Sequence, residues 1–118
     1  MKRMIGKVFT SVTGEAGSYE MVFSNGVDTF RFYHEQDCCE SVSIEDIVGD
    51  ISDLIGSEIL MAEEVSGCIP EGFVESEYEA HEWTFYKFAT IKGYVDVRWF
   101  GTSNGYYSTA VSLSVNGD

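Results

Sequence analysis

Alternation of apolar and polar residues with a period of two, broken at short intervals by glycine, is the feature that most limits what this chain can become. Near the C-terminus Tyr107, Thr109, Val111, Leu113 and Val115 alternate with Tyr106, Ser108, Ala110, Ser112 and Ser114, the pattern of a strand with one wet face. From Val27 to His34, Phe30, Phe32 and His34 alternate in the same way with Thr29, Arg31 and Tyr33. Upstream, Ile5 to Val12 and Ser18 to Phe23 are β-rich and separated by Gly14 and Gly17, which predicts a hairpin. Ser24-Asn25-Gly26 adds an Asn-Gly turn, because both central positions tolerate positive φ. Further on, Glu58 to Val65 reads as a strand and Ser66 to Ala80, with Pro70 and four glutamates, as a mobile loop. Three strands close the chain, His81 to Lys92, Tyr94 to Phe100 and Tyr106 to Val115, and their short connections predict antiparallel neighbours.

One segment reads differently. Ile44, Ile47, Val48, Ile51, Leu54 and Ile55 follow the spacing of a helical stripe, with Glu45, Asp46, Asp50 and Asp53 on the opposite side. Ser43 is placed to cap the first turn and Gly56 to take the left-handed position that ends the helix, while Gly49 inside it points to a close packing contact. The expected fold is therefore α+β: a curled antiparallel meander of about six or seven strands packed on one amphipathic helix, about residues 44–55. With 118 residues, 44% of them hydrophobic, the chain reads as one domain over 1–118 that needs no metal or disulfide to complete its core. Three cysteines, two of them adjacent, make no disulfide framework and suit a reducing compartment. No run of 18 apolar residues and no apolar signal core within Met1 to Val12 is present, so the expectation is a cytoplasmic protein without a membrane span.

Charge is segregated. Twenty acidic residues against seven basic ones leave a net charge of −13, which argues against direct binding to nucleic acid. Residues 32–86 contain no Lys or Arg and hold fifteen of the twenty acids. Such a surface either keeps the protein soluble or docks a basic groove in the manner of a nucleic-acid mimic, with Glu45, Asp46, Asp50 and Asp53 as its carboxylates.

Two further clusters carry chemistry. Between a strand and the expected helix lie His34, Asp37, Cys38, Cys39 and Glu40. Adjacent cysteines do not share one tetrahedral zinc easily, and Cys68 and His81 would have to complete the site from far along the chain. A cysteine nucleophile would need His34 or His81 within hydrogen-bond reach and a third group to orient it. His34, Cys38 and Cys39 are thus weak metal or catalytic candidates, set against plain packing, and no cofactor is expected. In the C-terminal strands, Tyr94, Asp96, Arg98 and Phe100 share one face and Val95, Val97 and Trp99 the other. Tyr86, Lys87, Tyr94, Arg98, Asn104 and Tyr106 are the candidate ligand residues, because rings interleaved with cations stack a base and pair a phosphate. All seven cations are expected on strands and able to gather on one sheet face. Ordinary cross-strand packing explains the same rings.

The run from His34 through Gln36-Asp37-Cys38-Cys39-Glu40-Ser41-Val42-Ser43-Ile44-Glu45-Asp46-Ile47-Val48-Gly49-Asp50, with Ala62-Glu63-Glu64, Trp83-Thr84-Phe85-Tyr86-Lys87 and Ser103-Asn104-Gly105-Tyr106-Tyr107-Ser108, resembles an uncharacterised family of small phage and prophage proteins. The resemblance runs from Gly6 to Val115 and carries no catalytic residues, since the family has no demonstrated activity. What it implies is a phage genomic setting; by analogy with other small acidic phage proteins, the expectation is counter-defence by a non-enzymatic protein that sequesters a host nucleotide-like signalling molecule or binds a host immune effector. Acidic mimicry is the alternative, followed by a cysteine- or metal-dependent enzyme. Exposed edge strands add the expectation of a homo-oligomer.

Overall fold

A computed structural model describes residues 2–36, 40–66, 80–103 and 109–117. Among these, the chain forms strands β1 (Ser11–Thr13), β2 (Glu20–Ser24), β3 (Thr29–Tyr33), β4 (Ser41–Val48), β5 (Met61–Ser66), β6 (Ala80–Thr90), β7 (Gly93–Ser103) and β8 (Ser112–Val115). Two single-turn 3-10 helices, Lys2–Met4 and Ile51–Leu54, complete the set. The strands make two antiparallel sheets, one in the order β1-β2-β3-β8 and the other in the order β4-β7-β6-β5.

The two sheets share one core. Met21, Phe23, Phe30 and Phe32 of the first face Tyr86, Phe88, Val95, Val97 and Trp99 of the second, all nearly or fully buried. Rings meet across the seam: Phe23 and Phe88 have centroids 4.9 Å apart, and Phe32 lies 4.8 Å from Tyr86. Phe9 closes the layer edge-on to Phe23 and Phe30. Each such side chain contributes about 1.5–3 kcal/mol through burial, so this aromatic seam holds the sheets together without a helix.

The expected helix over 44–55 is not there. Its first half is β4, its second the 3-10 turn, and the fold is nearly all β where an α+β fold was expected. The physical reason lies in a β-bulge. Val42 and Ile44 point inward with a period of two, opposite Gly101 and Trp99 of β7; the register then slips, so that Glu45 is an extra residue and Asp46 pairs with Arg98. One inserted residue turns an inward spacing of two into three, Ile44 to Ile47, and a bulged strand then imitates one turn of a helical stripe. The β-branched residues that make the stripe favour a pleated surface over a helix.

Gly49 does make the expected close contact, but at the bend that follows β4: at φ 106°, a Cβ there would lie 2.5 Å from the Tyr94 carbonyl oxygen. Gly56 takes its left-handed position, φ 82°, after the 3-10 turn. Asp50, in place of Ser43, is the cap, its Oδ1 accepting from the Ser52 N–H.

The hairpins are where the turns put them. β1 pairs with β2 and β2 with β3, the latter across a loop in which Asn25 Oδ1 accepts from the N–H groups of Val27 and Asp28. β6 and β7 pair along their whole length. The last strand is a correction: β8 crosses to the other sheet and lies beside β3, with Phe32 opposite Leu113. A single meander is thereby divided into two layers. Of the loop expected over Ser66 to Ala80, residues 67–79 fall outside the described residues.

Candidate functional site

Parity decides which side chains of β6 and β7 reach the outside. Thr84, Tyr86 and Phe88 oppose Trp99, Val97 and Val95 on the inner face, so Trp83, Phe85 and Lys87 oppose Phe100, Arg98 and Asp96 on the outer one. The outward set of Tyr94, Asp96, Arg98 and Phe100 is as the alternation predicts, with Asp96 and Tyr94 exposed. Trp83 and Phe100 pack with centroids 4.2 Å apart and their planes tilted by 37°, and the Arg98 guanidinium carbon lies 5.3 Å from the Trp83 ring centroid.

Arg98 is already engaged. Its Nη2 donates to Glu45 Oε1 at 2.6 Å and sits 3.9 Å from Asp46 Oδ2, because the bulge in β4 sets two acidic residues against one arginine. Its Nε is buried without a hydrogen-bond partner among the described residues. One guanidinium faces two carboxylates, so this corner of the sheet is net negative. An incoming phosphate meets repulsion where the sequence reading placed its main cation.

The candidate ligand set is divided. Tyr86 is 3% exposed and belongs to the core, and burial, with Glu64 and Glu82 adding like charge, pushes its hydroxyl well above its ordinary pKa. Lys87 stands on the outer face between Glu63 of β5 and Asp96 of β7 in the register. Tyr94 is exposed near the β6–β7 turn. Asn104 and Tyr106 lie outside the described residues. Nor do the cations gather on one face: Lys2 and Arg3 are in the first 3-10 helix, Lys7 pairs with Asp28 at 2.8 Å, Arg31 with Glu20 at 2.6 Å, and Lys92 Nζ donates to the Ile55 carbonyl.

The acidic candidates have lost their common helix face but not all their proximity. Glu45 and Asp46 flank the bulge, and Asp50 caps the following turn, where the Ser52 hydroxyl and N–H hold its carboxyl below the usual carboxylate range. Asp53 turns away, its carboxylate packed close to Gly93 in the β6–β7 turn. What the sequence could not show is that Glu15, in the β1–β2 turn, joins Asp46 and Asp50 around one open groove. Residues 15 and 46 meet only because the Gly17 N–H donates to the Ile44 carbonyl at 2.7 Å and the Ile44 N–H to the Ser18 carbonyl at 2.9 Å. No local signal marks such a contact.

Of the cysteine-histidine cluster, the structure describes only His34 and its carboxylate and amide neighbours. Residues 37–39, and with them Cys38 and Cys39, lie outside the described residues, as does Cys68, and the His81 side chain is likewise not described. His34 is described and nearly buried: its Nδ1 faces the Ala110 carbonyl at 2.7 Å and its Nε2 the Glu40 carboxylate at 2.9 Å. Gln36 Nε2 donates to the Glu40 carbonyl and carboxylate. Both ring nitrogens thus face acceptors, and which of them donates depends on the tautomer. The cluster ties the β3–β4 connection to the segment before β8. Among the described residues no group of three or more His, Cys, Asp or Glu is placed to hold a metal, and no helix is long and apolar enough to cross a membrane.

Comparison with curated proteins and with solved structures finds no match. A family model does match, over residues 2–113, which is nearly the whole chain and spans both sheets and the groove between them. The chain therefore belongs to the family described as domain of unknown function (DUF7448).

Proposed function

We propose that this chain is a non-enzymatic accessory protein, of phage type and directed against host defence, that works by occupying a basic surface of a host immune effector. The observation that carries this reading is the state of Arg98. The guanidinium on which an anionic ligand would depend is held by Glu45 and shared with Asp46, leaving the exposed corner of the sheet negative. Around it lies a surface drawn from a 55-residue stretch, 32–86, without a cation, in a chain of net charge −13. Such a field raises the association rate with a basic partner and repels a phosphate-rich ligand.

Sequestration of a nucleotide-like signal is less favoured, since Tyr86 is interior and the cations are dispersed. Strict imitation of a nucleic-acid backbone would want a regular row of carboxylates, and the helix meant to carry it is a bulged strand and a turn. Docking by an acidic patch makes no such demand.

The test compares tagged parent protein with a Glu45→Gln, Asp46→Asn, Asp50→Asn, Asp53→Asn variant, both checked for folding by circular dichroism. The expected result is a basic host protein that co-purifies with the parent and not with the variant. A small molecule released by denaturing the purified parent, with no protein partner retained, would overturn the proposal in favour of ligand sequestration.

A further inference from the structure

Where the β1–β2 turn approaches the end of β4, the surface dips into an open groove of about 540 Å³. Its walls combine two kinds of surface. Ile47 and Ile51, both only half-buried, supply an apolar floor, and Glu15, Asp46 and Asp50 supply carboxylates. No cation lines it among the described residues. The carboxylates keep accepting capacity: among the described residues Glu15 has no side-chain partner, Asp50 uses only Oδ1, on Ser52, and Asp46 uses Oδ1 on the Ile47 N–H while its Oδ2 stands 3.9 Å from an Arg98 that is already paired with Glu45. The shape is set by backbone, through the hydrogen bonds between Ile44 and the Gly17–Ser18 turn and through Gly49, which fits against the Tyr94 carbonyl only because it has no Cβ.

We infer that this groove receives an arginine side chain carried on a basic loop of a protein partner. The inference rests on the binding reading above and names the subsite. Arginine is the side chain whose two parts match the two parts of the groove: an aliphatic stem that lies on Ile47 and Ile51, and a planar fork of donors that carboxylates accept in pairs. A divalent cation would find no use for the isoleucine floor, and a free amine would leave the neighbouring apolar surface bare. That surface favours a protein: Val48 and Tyr94, adjoining Gly49 along and across the strands, are 63% and 73% exposed. Charge complementarity selects the basic occupant, since the groove and the bulge together set four carboxylates, Glu15, Glu45, Asp46 and Asp50, against Arg98 alone.

The probe is a short glycine-serine peptide carrying two arginines, titrated into the full chain labelled with nitrogen-15, beside the same peptide with citrulline for arginine. The expected result is amide shifts confined to 14–17 and 46–51 with the arginine peptide only, weakened about tenfold by Glu15→Gln and unchanged by Glu58→Gln, an exposed carboxylate outside the groove, as loss of one charge-assisted contact implies. Glu15 is an exposed turn residue whose side chain supports no other group among the described residues, so the variant keeps its fold. Shifts spread evenly over all acidic residues, equal response to citrulline, or a stronger response to calcium chloride or spermidine would overturn it. If the groove stays silent while the four-site variant still loses its partner, this inference fails and the acidic-docking proposal stands; if no protein partner is found, the docking proposal fails and this inference with it, whatever the groove does.

Discussion

Replacing Gly49 by alanine separates the two architectures by the sign of its effect. In a helix spanning 44–55, an interior glycine is a weakness, and alanine would stabilise the protein by about 1 kcal/mol. In the strand-and-turn structure Gly49 sits at φ 106°, where an L side chain is strained by roughly 1–3 kcal/mol. Its new Cβ would also stand 2.5 Å from the Tyr94 carbonyl oxygen and 3.3 Å from Val95 Cα, both backbone atoms that move only if β7 moves. Overpacking of that kind adds about 1–3 kcal/mol. Relaxation shares the two costs, so a net loss of about 3 kcal/mol is expected, which lowers the melting temperature by about 12 °C for a domain of this size. Urea titration and thermal circular dichroism measure it directly. A Gly49→Ala protein that melts at or above the parent temperature would refute the bulged-strand description of this segment and restore the helix.

Gly101, where a Cβ would lie 2.7 Å from Thr109 Cβ and 3.0 Å from Val42 Cγ2, gives a second packing test: Gly101→Ala is expected to cost about 1–3 kcal/mol in urea titration, because β7 has no room for it against β4. Tyr86→Phe leaves partner capture unchanged in co-purification, since the ring is interior; loss of capture with the fold intact would return Tyr86 to a binding surface. Asp28 is held below its ordinary value of 3.8 first by the Lys7 hydrogen bond and then by Asn116. Its folded pKa lies below the unfolded one, so its stabilising contribution is complete above about pH 4 and is lost as pH falls through the folded value. Melting curves from pH 6 to pH 2 should therefore drop less steeply for Asp28→Asn than for the parent.

The local parts of this fold were legible because their causes are local. Asn25 makes its turn with its own side chain, two and three residues on, and β2 and β3 follow on either side of it. The alternation along β7 placed Val95, Val97 and Trp99 inside and Asp96 and Arg98 outside, because a pleat admits only that parity. The charge imbalance of 32–86 is a property of composition, and no folding could remove it. Tyr86 was misplaced because β6 is aromatic on both faces, so its own residues do not say which face is wet.

Tertiary structure decided the rest. Whether Ile44, Ile47 and Val48 make a helical stripe or a bulged strand depends on β7, which lies beside β4 and supplies one arginine opposite two acidic residues. The spacing alone fits both. β8 joined the far sheet because its apolar face completes the layer beside β3, and β4 lies next to β7 across half the chain; such pairings are set by the shared core rather than by any nearby residue. The candidate site followed from those pairings. Arg98 became the counter-ion of Glu45 instead of a ligand's partner, and Glu15 met Asp46 and Asp50, because hydrogen bonds between distant backbone segments bring charges together that the sequence holds some thirty or more residues apart.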